Sequence, residues 1–295
     1  MENQQKISKN EPLNIGVLGD LHGHFTLALT LLKRWENEKE KNLDLILQVG
    51  DFGVFPHPFY KLDHATYKFS KKDPDEISFP DYLDSTQESQ SFFDEKSPSE
   101  KRIDAPLIFI RGNHEDFDYL SQLENSSLDI PIPVDHYSKF LYLPNGNSTS
   151  FNSKGKKLTI AGLGGIEHGK YGAEFSNKEV NNLIGSGYVD ILLTHEPYKG
   201  GFGDGGSRKI KELVNSLEPS YSFSGHYHVD GQKLNSIDNT NSFILNEVNF
   251  RRKHKLNKNC VGILEWKSKS ENYFNFLDEP WLNEYTLDNF RDISK

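Results

Sequence analysis

Short clusters of acids, imidazoles and an amide recur directly after apolar runs in this chain. The run 15–18 leads into Gly19-Asp20-Leu21-His22-Gly23-His24, and the run 45–49 into Gly50-Asp51-Phe52-Gly53. The run 107–110 leads into Arg111-Gly112-Asn113-His114-Glu115, 189–193 into Thr194-His195-Glu196, and 221–223, after Ser224, into Gly225-His226-Tyr227-His228. A single such cluster reads equally well as a polar turn with Asp20 capping a helix. Five of them do not, because histidines buried at strand ends are costly without partners.

Ligands of open α/β sheets gather outside the carboxyl ends of the strands, so five strand ends point at one site. The groups collected are Asp20, His22, Asp51, Asn113, His195, His226 and His228. Two carboxylates, an amide oxygen and four imidazoles exceed what one tetrahedral ion uses. Mixed oxygen and nitrogen donors suit Mn, Fe or Zn rather than Ca or Mg, and the lack of thiolates excludes a structural zinc or iron–sulfur site. Seven groups fit two divalent metal ions sharing a bridging carboxylate. Two ions about 3.5 to 4 Å apart activate a bridging water and clamp a transferring phosphoryl group, so the chemistry expected is phosphoester hydrolysis. Gly19, Gly50, Gly112 and Gly225 each precede a ligand, where the lack of Cβ permits close approach.

These residues need a scaffold. At 295 residues, with 35% hydrophobic and 12% aromatic content, the chain can build one large core or two small ones. Helical patterns at 27–35 and 208–217 alternate with the apolar runs, which include 158–163, and so indicate a largely parallel or mixed α/β core. Residues 1–12 read as a disordered leader and order is expected from Leu13. The Ser/Pro/acid-rich stretch at about 56–106 reads as an insertion carrying one or two helices. From Phe243 on, FILNEVNF, CVGILEW and NYFNFL read as a terminal antiparallel set of strands, followed from about residue 280 by a tail, docked or frayed.

The net charge of −9 does not favour nucleic acid as a partner, though a local patch stays open. No run is long enough to span a bilayer, and the N-terminus carries no signal-peptide pattern. The one cysteine, Cys260, cannot form an internal disulfide, which points to the cytoplasm. No obligate protein partner is evident.

GDLHGH, GDFG, RGNHE, THE and GHYH, in this order, resemble the motifs of the calcineurin-like metallophosphoesterases over roughly residues 13–229. The resemblance implies a four-layer αββα sandwich of two mixed sheets flanked by helices, with the terminal strands in its second sheet. It implies that Asp20, His22 and His228 hold one metal and Asn113, His195 and His226 the other. Asp51 would bridge them, and His114 would donate a proton to the leaving oxygen or bind the phosphate. Many protein phosphatases of the family carry GDxxDR where this chain has GDFGVF. Val54 and Phe55 thus replace the acid that would orient His114 and the arginine that would grip phosphate, which disfavours a protein Ser/Thr phosphatase. The GDF form, the long insertion and the Gly164–His168 run look more like phosphodiesterase branches. These include the RNA lariat debranching enzymes, which commonly have Cys where Asp20 stands.

The competing functions are a nuclease on RNA or DNA and a scaffold that has lost catalysis. Intact ligands at all seven positions argue against the scaffold. Among secondary candidates, His24 reads as a solvent-exposed first-turn residue, with a substrate contact as the alternative. His168 is the candidate substrate residue of its loop, and Arg111 is a further candidate. In Gly200–Gly206 and Ser207-Arg208, Ser207 would cap a helix and Arg208 could meet substrate phosphate. His57, His64, His136 and His254 read as surface residues, and Arg251–Lys255 as a charged hairpin turn.

Overall fold

Each apolar run that precedes a ligand cluster is a strand in the structure, a computed structural model that describes residues 11–57, 62–237, 239–251 and 255–293. The first half contains β1 Leu13–Leu18, α1 Phe25–Lys39, β2 Leu45–Gln48, α2 His64–Ser70, a 3-10 turn at Pro74–Ile77, α3 Pro80–Leu83, α4 Gln87–Phe93, β3 Leu107–Phe109, α5 Phe117–Ser126, β4 Ile132–Pro133 and β5 Phe140–Tyr142. The chain continues through β6 Asn147–Ser153, β7 Lys156–Leu163, α6 Asn177–Gly185, β8 Ile191–Thr194, α7 Arg208–Leu217, β9 Tyr221–Ser224, β10 Gln232–Lys233 and β11 Asn241–Ile244. It closes with β12 Phe250–Arg251, β13 Lys255–Leu256, β14 Val261–Ser268, β15 Glu271–Phe276, a 3-10 turn at Pro280–Glu284 and α8 Phe290–Ile293.

The runs are continuously apolar because the strands are covered on both faces. Ile15, Val17, Leu45, Leu47 and Ile108 pack between two sheets, against Leu158, Ile160, Ile191, Leu193 and Phe223 of the other sheet. With the period of two that a strand imposes, Leu18, Ile46, Leu107 and Phe109 face outward onto Phe25, Leu29 and Leu32 of α1. On the far side Ala161, Leu163 and Leu192 meet Val180 and Leu183 of α6 and Ile210, Leu213 and Val214 of α7. The result is the four-layer helix–sheet–sheet–helix sandwich that the motifs imply.

The seven-stranded sheet runs β15-β14-β1-β2-β3-β5-β4, and the six-stranded sheet runs β10-β11-β9-β8-β7-β6. In the first sheet β1, β2, β3 and β5 are parallel, as are β7, β8, β9 and β11 in the second. All five ligand loops therefore leave from carboxyl ends. The terminal strands depart from expectation. They do not form one antiparallel set within the second sheet: β11 joins that sheet parallel to β9, whereas β14 extends the first sheet antiparallel to β1 and β15 follows antiparallel to β14. Trp266 and Phe274 find apolar cover between the sheets there, which local sequence pattern does not reveal.

Among its described residues the 56–106 stretch holds three short α-helices and a 3-10 turn rather than one or two helices. Its polar composition conceals Phe79, Tyr82, Phe92, Phe93 and Ile103, which pack into the α1 layer. The C-terminal segment is docked: Trp281, Tyr285 and Phe290 enter the same layer. α7 coincides with the expected 208–217, and α1 starts two residues before and ends four after its periodic stretch. β12 and β13 pair antiparallel around the charged turn, whose residues 252–254, including His254, lie outside the described residues, as do residues 1–10 of the leader. No helix among the described residues is long and apolar enough to cross a membrane. Because Trp281 anchors the docked segment, Trp281→Ala should cost about 3 to 5 kcal/mol, read as a lower midpoint in urea with an unchanged slope.

Candidate metal centre

The loops after β1, β2, β3, β8 and β9 converge on two buried carboxylates. Asp20, His22, Asp51 and His228 bring one ligand atom each within 4.8 Å of one another, and Asp51, His195 and His226 do the same, so Asp51 belongs to both groups. Its Oδ1 accepts the amides of Asn113 at 2.7 Å and His114 at 2.8 Å. This leaves Oδ2 3.3 Å from His195 Nε2 and 3.6 Å from His22 Nε2. Asn113 Oδ1 lies 2.9 Å from His195 Nε2. On the other side Asp20 accepts the amide of His226 at 2.9 Å and sits 3.1 Å from His228 Nε2, which is 3.3 Å from His22 Nε2. All seven residues collected from sequence thus surround one place.

The local backbone is bent to achieve this. His22, Asp51, His226 and His228 all have positive φ, at 43°, 49°, 72° and 46°. Left-handed backbone costs a non-glycine residue roughly 1 kcal/mol or more, and such strain concentrates at functional sites. Two glycines make room: a Cβ on Gly112 would come within 2.0 Å of Asp51 Oδ1, and one on Gly225 within 2.0 Å of Asp20 Oδ1. The Glu115 carboxylate accepts the amides of Phe52 at 2.8 Å, Gly53 at 3.1 Å, Val54 at 2.6 Å and Gly112 at 3.2 Å, binding the β2 loop to the β3 loop. His195 Nδ1 donates to Val49 O at 3.0 Å, which turns Nε2 inward as a ligand requires.

The electrostatics suit cations. Burial pushes the Asp51 carboxyl up, but the His195 imidazole outweighs it and holds Asp51 well below the usual range. Burial pushes His195 and His228 down, yet Asp51 and Asp20 respectively raise them to about 9. His22 is lowered by burial, and His226 is lowered to about 4 by burial and by His195. Protons on His195 and His228 supply positive charge that divalent ions on the same nitrogens would replace, and the donor set, free of thiolate, fits Mn, Fe or Zn.

The secondary candidates fare differently. His24 is neither exposed nor open to substrate: it is buried at the start of α1, with Nδ1 2.9 Å from Leu21 O and Nε2 3.0 Å from Asp73 Oδ2. Arg111 is also turned away, its guanidinium donating to the carbonyls of Gly172 and Glu174 and lying over Phe117. Ser207 caps α7 as expected, but Glu167 Oε2 accepts Ser207 Oγ at 2.7 Å and Arg208 N at 2.9 Å. An internal carboxylate thus takes the anion position, and the Arg208 side chain is exposed. His168 is exposed on its loop, as are His57, His64 and His136. Val54 and Phe55 are buried.

Three insertion carboxylates face these motifs, unforeseen in the sequence. Asp63 Oδ1 is 3.2 Å from His114 Nδ1, Asp73 pairs with His24, and Glu76 Oε2 lies 3.9 Å from His22 Nδ1. From the opposite wall Glu247 Oε2 lies 3.6 Å from His228 Nδ1. Asp63 is legible as a helix N-cap before His64-Ala65-Thr66, but nothing in the sequence names its partner. Burial works against both charges, yet their pairing raises His114 to about 9 and lowers Asp63 to about 2. A cavity of about 250 Å³ opens here, lined by His22, His114 and His228 and by Thr66, Phe69 and Glu76 from the insertion.

Two packed α/β sheets whose strand ends gather carboxylates, an amide and imidazoles define the class of two-sheet sandwiches with a metal-binding donor set. A family model described as calcineurin-like phosphoesterase matches residues 13–230, and the chain belongs to that family of metal-dependent phosphoester hydrolases. No curated protein matches its sequence. TT1561 of Thermus thermophilus is similar in structure over 90% of this chain and 99% of its own, at 13% identity and a TM-score of 0.51. A phosphatase from Mycoplasma pneumoniae matches over 95% of this chain and 99% of its own, at 12% identity and a TM-score of 0.44. GAP50, the anchor in the inner membrane complex of Plasmodium, matches over 96% and 94%, at 15% identity and a TM-score of 0.46. At such identity the first of these is a likeness of fold alone.

The buried His24–Asp73 pair makes stability depend on pH. Burial lowers His24, but Asp73 overrides it and raises the ring from 6.5 to about 9. A raised histidine stabilises fully below its unfolded value and loses that contribution as pH rises through the folded one. The metal-free protein should therefore lose stability to urea between about pH 6.5 and 9, a window it shares with His114, His195 and His228, and Asp73→Asn should reduce that slope by the His24 share.

Proposed function

We propose that this phosphoester hydrolase works with two divalent ions, one on Asp20, His22 and His228, the other on Asn113, His195 and His226, with Asp51 between them. The observation that carries this reading is the membership of Asp51 in both ligand groups, its Oδ1 fixed by two amides and its Oδ2 turned toward imidazoles of each. Bound there, two ions would supply Lewis acidity that activates a water at neutral pH and neutralises the oxygens of the phosphoryl group. The protein's own part is to hold the carboxylates without water, orient the imidazoles through Val49 O and Glu247, and present His114 at the edge of the cavity. His114 would give its proton to the leaving oxygen.

The substrate we favour is a phosphodiester. A monoester carries a second negative charge that an arginine commonly grips. Here Phe55 is buried where the family's arginine would stand, Arg111 is committed to carbonyls, and the Arg208 side chain is exposed on α7. With Cys260 the one cysteine of the sequence, no internal disulfide supports the fold, which suits the cytoplasm.

Metal-stripped protein reloaded with Mn, Fe or Zn should hydrolyse bis-p-nitrophenyl phosphate faster than p-nitrophenyl phosphate. Asp51→Asn should lower both rates at least about 100-fold while the melting curve of the metal-free protein keeps its shape. Preference for the monoester would return the substrate to the phosphatase class, and full activity of Asp51→Asn would sink the two-ion scheme.

A further inference from the structure

His114 lacks the acid that the family's second motif would place beside it, because Val54 occupies that position and packs in the α1 layer. The structure nevertheless gives the ring a carboxylate from elsewhere. Asp63, the N-cap residue of α2, is 3.2 Å from His114 Nδ1 through Oδ1. That oxygen is itself fixed by the amides of Ala65 at 2.8 Å and Thr66 at 3.1 Å, and Oδ2 accepts Thr66 Oγ1 at 2.6 Å. The Asp63 carboxylate is thus pinned by the helix it starts. Among the described residues no partner reaches His114 Nε2, and the ring edges the cavity that it shares with His22 and His228.

We infer that Asp63 is the positioning residue for His114, so that the insertion restores from a separate segment what the second motif has lost. This inference rests on the hydrolase reading above. In the step concerned, the oxygen–phosphorus bond to hydroxide forms and the bond from phosphorus to the leaving oxygen breaks. The electron pair goes to that oxygen, which takes the proton from His114 Nε2. The neutral ring keeps its other proton on Nδ1, donated to Asp63, so the orientation that delivers the first proton is the one that retains the second. α2 has a second part in this arrangement. Thr66 and Phe69 line the same cavity as His114, so the helix that aims the proton donor would also border the substrate.

Asp63→Ser separates positioning from folding, since serine caps a helix about as well as aspartate but is too short to reach His114. On an alkyl phosphodiester, whose leaving group needs a proton, kcat should fall about 100-fold with KM little changed, whereas on bis-p-nitrophenyl phosphate it should change by less than about threefold. Equal losses on both substrates, or none on either, overturn the assignment while wild-type turnover leaves the hydrolase reading standing. Failure of the wild type with every metal would overturn that reading instead. The assignment then stands or falls on ¹⁵N spectra of the metal-free protein. Recorded at a pH above the folded value of about 9, where the ring carries one proton, these should show that proton held on Nδ1 in the wild type and shared between the two nitrogens in Asp63→Ser, and identical spectra overturn it.

Discussion

The site depends first on one buried carboxylate that is not among the candidate ligands. Glu115 accepts four backbone amides, three from the loop after β2 and one from the loop after β3. Burial and the nearby Asp51 charge push its carboxyl up to about 7, while the amides favour the ionised form, so they hold a charge that would otherwise be expelled. With the two loops locked together, the amides of Asn113 and His114 lie where Asp51 Oδ1 can accept them, and Asp51 Oδ2 is left facing the imidazoles. Each loop-to-loop relation is thus a carboxylate accepting backbone amides, which ties the position of the ligands to the course of the chain.

The centre itself gathers buried acids and imidazoles on a strained backbone. Asp20 and Asp51 are shielded from water, Glu76 and Glu247 stand just outside, and four of the converging residues occupy left-handed backbone. Such an arrangement is unfavourable for an isolated chain and is relieved by cations. The surrounding sandwich bears that cost, since the strands that deliver the loops are covered on both faces by three apolar layers.

The geometry of the site is legible in the sequence where it is local. Strand, glycine and ligand follow one another within a few residues at four of the five loops, the fifth passing from Thr194 directly to His195, and the same sterics that make Gly112 and Gly225 necessary make them visible. The layered fold follows from the family resemblance and the continuous apolar runs. What stays hidden is whatever depends on distant contact. Asp63, Asp73 and Glu76 sit in a segment whose composition reads as polar spacer, and their partners His114, His24 and His22 are remote in sequence. His24 misleads for the same reason: an imidazole at a helix start looks solvated until Asp73 is placed against it. The aromatic anchors of the insertion are likewise outnumbered by charges, and Arg111, inside a strong motif, serves carbonyls instead of substrate.

The first sheet has a further meaning in its order. β1, which ends just before Gly19-Asp20, lies between β2 and β14, with Leu13 opposite Trp266 and Leu18 opposite Val261. Its outer edge stays unpaired until residues beyond the 13–230 match have arrived. Contacts of such sequence separation form slowly, and the strand that leads to Asp20 keeps one open edge until β14 pairs with it. The firmness of the first ligand loop is thereby tied to residues that supply no ligand, so loss of β14 and β15 would leave β1 with one neighbour in place of two.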